Sequence, residues 1–321
     1  MKILANDGIS QSGIDALEAA GHQVYLVHVA QEQLVNYINE HQIDVLLVRS
    51  ATKVRKDLID QCPSLKIIGR GGVGMDNIDV EYARSKDIIV INTPAASSAS
   101  VAELAFAHLF GAVRFLHHAN RDMPLEGDSK FKELKKSYSR GVELRGKTLG
   151  LIGYGRIAQE MAKLAIGIGM KVVVTRKSGQ EIPPITLNFF DGQQLTFTLS
   201  NLSMDELLKE SDYISLHVPA QTKPILGKEE FDKMKDGVGI INTARGGIVD
   251  ENALVEALET EKVSFAALDV FENEPSPSIK ILMNNKISLS PHIGGSTVEA
   301  QDRIGSELAE QIIALDSQFQ S

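Results

Sequence analysis

Lys147-Thr148-Leu149-Gly150-Leu151-Ile152-Gly153-Tyr154-Gly155-Arg156-Ile157-Ala158 is the stretch that decides the fold. A short apolar run gives way to two glycines spaced by one residue, and the next stretch, 159–168, sets Met161, Leu164 and Ala165 on one helical face. Apolar strands without alternation are buried on both faces, as in a parallel sheet. A glycine turn feeding a long helix is a dinucleotide-binding start, because the helix N-terminal N–H groups and dipole receive a pyrophosphate. Alanine at the third position is tolerated there, since that site only limits helix–strand packing. Gly69-Arg70-Gly71-Gly72-Val73-Gly74 matches G-x-G-x-x-G more literally, but the turn-like Met75-Asp76-Asn77-Ile78-Asp79 and only a short helix follow it. Context therefore places the cofactor on Gly153, Tyr154, Gly155, Arg156 and Ile157. It leaves 69–74 as a nest of backbone N–H groups beside Arg70, suited to a substrate carboxylate or phosphate.

Outward from this stretch the same alternation repeats. Towards the N-terminus, apolar runs at 2–5, 24–27, 45–48, 66–69 and 88–91 are separated by helical patterns; towards the C-terminus, runs at 171–175, 213–217, 237–242, 265–269 and 287–290 do the same. A long helix is expected from Ser98 to about Arg121, then an irregular segment over 122–142, broken by Pro124 and Gly127. The last helix, 298–315, lies beyond the final strand and returns to the first unit. The fold class is α/β with two doubly wound parallel-sheet domains, one flavodoxin-like (1–97 plus 293–321) and one Rossmann (98–292). Residues 185–199 read as two alternating strands around Asp191-Gly192, a hairpin inserted at the edge of the second domain.

Composition narrows the function. The 321 residues carry 33 basic and 42 acidic side chains, a net charge of −9, the wrong sign for neutralising nucleic-acid phosphates. No apolar run reaches the roughly 18 residues of a membrane span, and Met1 opens directly on a strand pattern without a secretory leader. The one cysteine, Cys62, allows neither an intrachain disulfide nor a thiolate metal site, so no metal is expected and a cytoplasmic location is.

In open parallel sheets ligands bind beyond the carboxyl ends of the strands. Here those ends read His217-Val218-Pro219, Thr243-Ala244-Arg245, Asp269 leading to Glu272-Asn273-Glu274, and Pro291-His292-Ile293-Gly294. Reduction of a 2-keto acid needs a cation to bind the carboxylate and polarise the carbonyl, and an acid to protonate the alkoxide. Arg245 suits the first task by forked hydrogen bonds. His292 suits the second, with Glu274 holding its far nitrogen. His217, Val218, Pro219, Thr243, Ala244 and Gly294 complete the candidate cofactor contacts. The acidic residue expected about 20 residues beyond the glycine turn is missing, and Arg176-Lys177-Ser178 stands at that strand end. An acid would accept from the ribose hydroxyls of NAD, whereas this triplet suits the 2′-phosphate of NADP, towards which the reading leans.

The runs 48–54, 69–77, 153–157, 242–250 (NTARGGIVD), 268–275 (LDVFENEP) and 291–297 (PHIGGST) resemble the D-isomer-specific 2-hydroxyacid dehydrogenases, above all the branch acting on D-3-phosphoglycerate. The resemblance spans nearly the whole chain. It implies catalysis in a cleft between a substrate domain and a cofactor domain, Arg245 as substrate-binding arginine, Glu274 and His292 as the acid pair, and Asp269 as partner of the nicotinamide carboxamide. It further implies a substrate pocket of Arg49, Ser50, Lys53, Arg70, Gly72 and Val73, and a homodimer across which Lys135 and Lys136 add positive charge. The implied reaction is D-3-phosphoglycerate to 3-phosphohydroxypyruvate, in serine biosynthesis; a glyoxylate or hydroxypyruvate reductase is the alternative, and a dinucleotide-sensing corepressor a more distant one. Two departures from the family pattern are Arg176, where an aspartate is usual, and the extra hairpin. The regulatory domain of longer members of that branch, with its serine feedback, is not expected.

Overall fold

The computed structural model describes residues 1–176 and 181–319. The chain divides into two units, Met1–Ser100 with Gly295–Ser321, and Val101–Gly294. The crossings thus fall three residues inside a helix and two residues beyond His292, slightly later than the sequence pattern placed them.

The first unit is a five-stranded parallel sheet of β1 (Lys2–Ala5), β2 (Gln23–Tyr25), β3 (Val45–Val48), β4 (Ile67–Arg70) and β5 (Ile89–Asn92), in the order β2-β1-β3-β4-β5. That is the flavodoxin-like order. Side chains alternate across the sheet. Leu4, Leu46, Val48 and Ile68 pack on one face with Leu34, Ile38 and Leu58. Ile3, Ala5, Val45, Leu47 and Ile67 pack on the other with Leu17, Ile304, Leu308 and Ile312. The helices Gln11–Ala19 and Val298–Asp316 meet on this second face at two glycines. A Cβ on Gly13 would stand 2.8 Å from the Gly305 carbonyl oxygen, so neither helix could approach so closely with a larger residue there.

The second unit contains β6 (Thr148–Ile152), β7 (Lys171–Thr175), the hairpin β8 (Ile185–Asn188) and β9 (Gln194–Phe197), then β10 (Ser200–Asn201), β11 (Tyr213–Leu216), β12 (Val238–Asn242), β13 (Val263–Leu268) and β14 (Ile287–Leu289). Its parallel sheet runs β10-β7-β6-β11-β12-β13-β14, the Rossmann order extended by one strand. The short β10, absent from the sequence reading, pairs with Val173 and Val174 of β7. The hairpin therefore occupies the crossover between β7 and β10, the two outermost strands at one edge of the sheet. Ile185 anchors it in the core with Leu187 and Leu199, while Phe190 at its tip is fully exposed. Gly192, at φ +84°, closes a three-residue loop with its N–H donating to Phe189 O.

Two helical expectations need correction. The helix Arg156–Gly167 buries Ala158, Met161, Ala162 and Ala165, so the inward stripe excludes Leu164, which lies on the flank. The helix expected to run to Arg121 stops at Val113; Phe115 takes a left-handed φ of +55° and a second helix, Leu116–Glu126, departs at 60°. The Phe115 ring stacks on Tyr138 at 5.9 Å, whose hydroxyl bonds Asp122, and the buried Leu134 anchors a further helix, Phe131–Ser137. The segment 122–142 is thus largely helical because it packs on the helix before it. No single helix among the described residues is long and apolar enough to cross a membrane.

Candidate active site

The glycine turn sits where β6 meets the helix Arg156–Gly167. Gly153, at φ +90°, is forced: a Cβ would stand 2.8 Å from Val218 Cγ1 and within contact of the His217 backbone. Nothing lies within 4 Å of a Cβ built on Gly155, and no side chain caps the helix start. Its first N–H groups, on Arg156 and Ile157, have no partner within the helix and no capping side chain, which suits an anion-binding helix end. The Tyr154 side chain turns away from the loop. Its ring lies in the core beside Leu151 and Met161, where burial pushes the hydroxyl up to about 12, so only its backbone belongs to the turn.

The ends of β6, β11, β12, β13 and β14 are neighbours in the sheet. At the end of β11, both ring nitrogens of His217 are buried without a partner, and desolvation pushes the imidazole down to about 3. Thr243 Oγ1, after β12, is likewise buried and unpartnered. Val218 is half-buried and Pro219 exposed. Orphaned polar atoms beside an open, uncapped helix end fit a dinucleotide, whose ribose and amide groups would supply the missing partners. At the end of β7, Arg176 donates from Nη1 to Glu181 O at 2.8 Å. Lys177 and Ser178 lie outside the described residues.

Beyond β12 the buried Asn242 shapes the arginine turn. Its Nδ2 donates to Arg245 O at 2.9 Å and its Oδ1 accepts from Ala244 N at 3.1 Å, while Arg245 Nη1 donates to Ala244 O at 2.6 Å. The next residue, Gly246, presses on the peptide between Phe271 and Glu272, leaving no room for a Cβ. The loop bearing Arg245 is thereby packed on the loop bearing Glu274. A pair of carboxylates locks the second loop from the other side: Glu272 Oε1 accepts from Glu251 N at 3.1 Å and Glu251 Oε1 accepts from Glu272 N at 2.9 Å. Burial raises the Glu251 carboxyl, more than the Glu272 N–H lowers it.

Glu274 and His292, 18 residues apart, meet as the sequence required. His292 Nδ1 lies 2.8 Å from Glu274 Oε2, and Glu274 Oε1 accepts from Phe271 N at 3.0 Å. A carboxylate only accepts, so Nδ1 carries the proton and Nε2 is left for exchange. His292 has φ +55°, a left-handed conformation costing a non-glycine residue about 1–3 kcal/mol. Asp269 holds it there. Its Oδ1 accepts from Ser290 Oγ at 2.6 Å and Ile293 N at 2.8 Å, and its Oδ2 from Gly294 N at 2.8 Å. The buried carboxylate expected to meet a nicotinamide amide is thus engaged with three donors of the histidine loop, and Gly294 packs against it. Among the described residues no group of three or more His, Cys, Asp or Glu side chains could hold a metal.

In the first unit, Arg49 and Arg70 stand at the ends of adjacent strands. Arg49 N donates to Asp7 Oδ2 at 2.6 Å; Ser50 and Lys53 are exposed, and Lys53 is tied through its backbone to Gln31. The anion nest expected at 69–74 is only partly available. Gly71 N donates to Val48 O and Gly72 N to the buried Thr93 Oγ1, both at 2.8 Å. Gly72, at φ +136°, leaves its Cβ position to the Arg70 guanidinium, which lies across it; Val73 is exposed. Lys135 and Lys136 are exposed on the helix Phe131–Ser137. The sequence reading missed Asn242, Gly246 and Glu251, whose work is done on backbone atoms; only the N-T-A-R-G-G spelling hinted at a tight turn.

Comparison with known proteins identifies what the chain is similar to. The family model for the NAD-binding domain of D-isomer specific 2-hydroxyacid dehydrogenases matches residues 106–294. The chain is 46% identical over 290 residues to hydroxypyruvate reductase of Thermotoga maritima, covering 89% of this chain and 88% of that protein. It is 41% identical over 314 residues to D-3-phosphoglycerate dehydrogenase of Methanocaldococcus jannaschii, covering 97% of this chain but 57% of the relative's length. A glyoxylate reductase structure from Paecilomyes thermophila matches with a TM-score of 0.81 at 30% identity, covering 98% of this chain and 94% of that one.

Proposed function

The chain belongs to the family of D-isomer-specific 2-hydroxyacid dehydrogenases, and on that premise we propose that it interconverts D-3-phosphoglycerate and 3-phosphohydroxypyruvate with Arg245, Glu274 and His292 as catalytic set. The observation that carries the reaction type is the 2.8 Å contact between His292 Nδ1 and Glu274 Oε2. A nicotinamide cofactor, held by the turn at Gly153 and Gly155, the helix start at Arg156 and Ile157, and the strand ends at His217, Thr243 and Gly294, supplies or accepts the hydride. Arg245 binds the substrate carboxylate by forked hydrogen bonds and orients the 2-keto group. His292 donates its Nε2 proton to the carbonyl oxygen as the alkoxide forms, or withdraws it from the hydroxyl in the reverse direction. Glu274 keeps the ring in the required tautomer and stabilises the imidazolium. Asp269 fixes the loop that carries the histidine.

The phosphate rests on Arg49 and Arg70 at neighbouring strand ends, with Lys53 close in sequence. A second reading, hydroxypyruvate and D-glycerate without the phosphate, is favoured by the match over most of the Thermotoga maritima reductase. Steady-state assays with 3-phosphohydroxypyruvate, hydroxypyruvate and glyoxylate are expected to rank the phosphorylated acid first in kcat/KM. A preference for hydroxypyruvate moves the assignment to the second reading, and a preference for glyoxylate rejects both. Arg176, Lys177 and Ser178 support NADP over NAD, and Lys135 and Lys136 a homodimer.

A further inference from the structure

His108 lies in the helix Ser98–Val113, far in sequence from every residue of the proposed catalytic set, yet it ends a partly buried hydrogen-bond chain that reaches the loop bearing His292. Its Nδ1 is 2.8 Å from Ser288 Oγ and its Nε2 is 2.8 Å from Ser290 Oγ. Ser290 Oγ in turn reaches Asp269 Oδ1 at 2.6 Å, and the same carboxylate takes the Ile293 and Gly294 N–H groups that follow His292.

The direction of the chain is fixed from its anionic end. A carboxylate cannot donate, so Ser290 donates to Asp269 and its oxygen accepts from His108 Nε2–H. Nδ1 is then an acceptor, and Ser288 donates to it. His108 is 8% exposed, and burial lowers its pKa against the smaller opposing pull of Asp269, so the neutral ring that this pattern requires is the form present. Every donor in the run has one acceptor, which gives Ser290 a single rotamer and Asp269 a single orientation. The consequence falls on His292, which occupies a left-handed backbone conformation and has the N–H groups of the two residues after it bound to that carboxylate.

We propose that His108 is a positioning residue for the catalytic histidine, acting through Ser290 and Asp269 to hold the loop that sets His292 against Glu274. The proposal rests on the hydride-transfer reading for its kinetic consequence but not for its structural one. Its test separates reach from volume. The side-chain amide of glutamine falls where Nε2 stands and can still donate to Ser290, whereas that of asparagine falls at the Nδ1 position and can meet only Ser288.

In the holoenzyme, His108→Asn and Ser290→Ala are expected to lower kcat about 10-fold or more, with KM and the cofactor Kd within about twofold of wild type, and His108→Gln to restore most of kcat. In parallel, the His292 Nδ1–H proton resonance, protected by its bond to Glu274, is expected to persist in wild type and His108→Gln and to broaden away in His108→Asn and Ser290→Ala. Equal kcat and equal resonances in the asparagine and glutamine variants overturn the proposal, because His108 would then only fill space. If wild type turns over none of the 2-keto acids while the resonance still follows the glutamine–asparagine distinction, the substrate reading fails and the positioning role stands.

Discussion

Arg176 carries more of the cofactor question than any other described residue. It stands at the end of β7, where an acid would accept from ribose hydroxyls, and its guanidinium is tied only to a backbone carbonyl, that of Glu181, among the bonds described. Turning from that carbonyl towards a 2′-phosphate would exchange a neutral acceptor for a charged one, which is the stronger bond. Arg176→Ala is therefore expected to raise the Kd for NADPH about 10-fold and leave that for NADH nearly unchanged, read by titrating cofactor fluorescence. An unchanged NADPH affinity would remove the case for NADP. At this scale the sequence was informative about side chains that gather at strand ends. Arg245, Glu274 and His292 stand out because a polar residue at the end of an apolar strand has few structural reasons to be there. Tyr154 was legible as part of the turn, but not that its ring belongs to the core. Asn242, Glu251 and His108 were silent, because nothing in a letter string says which carbonyl or N–H a buried polar group will meet.

At the scale of elements the loops bearing Arg245 and Glu274 are held by one another. The turn after β12 rests on the loop after β13 through Gly246, at a distance only a bare Cα permits. Gly246→Ala must push the Phe271–Glu272 peptide away, at an overpacking cost of about 1–3 kcal/mol, and with it both the Glu251–Glu272 lock and the Phe271 N–H that Glu274 accepts. The expected outcome is a kcat lower by about 10-fold or more, with a thermal midpoint lower by about 2–10 °C. A variant with wild-type kcat would show that the two loops are independent. The strands of both sheets were readable from apolar runs because parallel strands are buried on both faces. The break at Phe115 and the helix Phe131–Ser137 were not, since both depend on ring stacking and on one buried leucine rather than on a local breaker. The hairpin was legible from Asp191-Gly192, but its place in the crossover was not, because the two-residue β10 is too short to leave a pattern.

For the whole molecule, two buried titratable groups set opposite limits on pH. The His217 ring has its pKa depressed to about 3, so between there and 6.5 the unfolded chain binds a proton the folded one refuses. Stability from this group is complete above that window and falls as pH falls through it, by up to about 1.4 kcal/mol per pH unit. Glu251 is raised above 4.5, so its contribution has the other sign, falling as pH rises through its window. Urea midpoints of the second unit are expected to drop between neutral pH and about pH 5, and to drop less in His217→Asn. Equal slopes would mean that the ring takes its proton in the folded state.

The order of the chain has one more effect, on how the molecule is made. Residues 101–294 are contiguous and contain their whole sheet, whereas the sheet of residues 1–100 has one face covered by the helix Val298–Asp316. On the ribosome, of the two sheets, the one synthesised earlier is finished later. Ile3, Val45, Leu47 and Ile67 must wait for Ile304, Leu308 and Ile312 to emerge, so a nascent chain exposes an apolar sheet face throughout the translation of the second unit. Slow or stalled elongation between residue 101 and the emergence of Ile312 is then expected to lengthen the interval in which this face is open to aggregation.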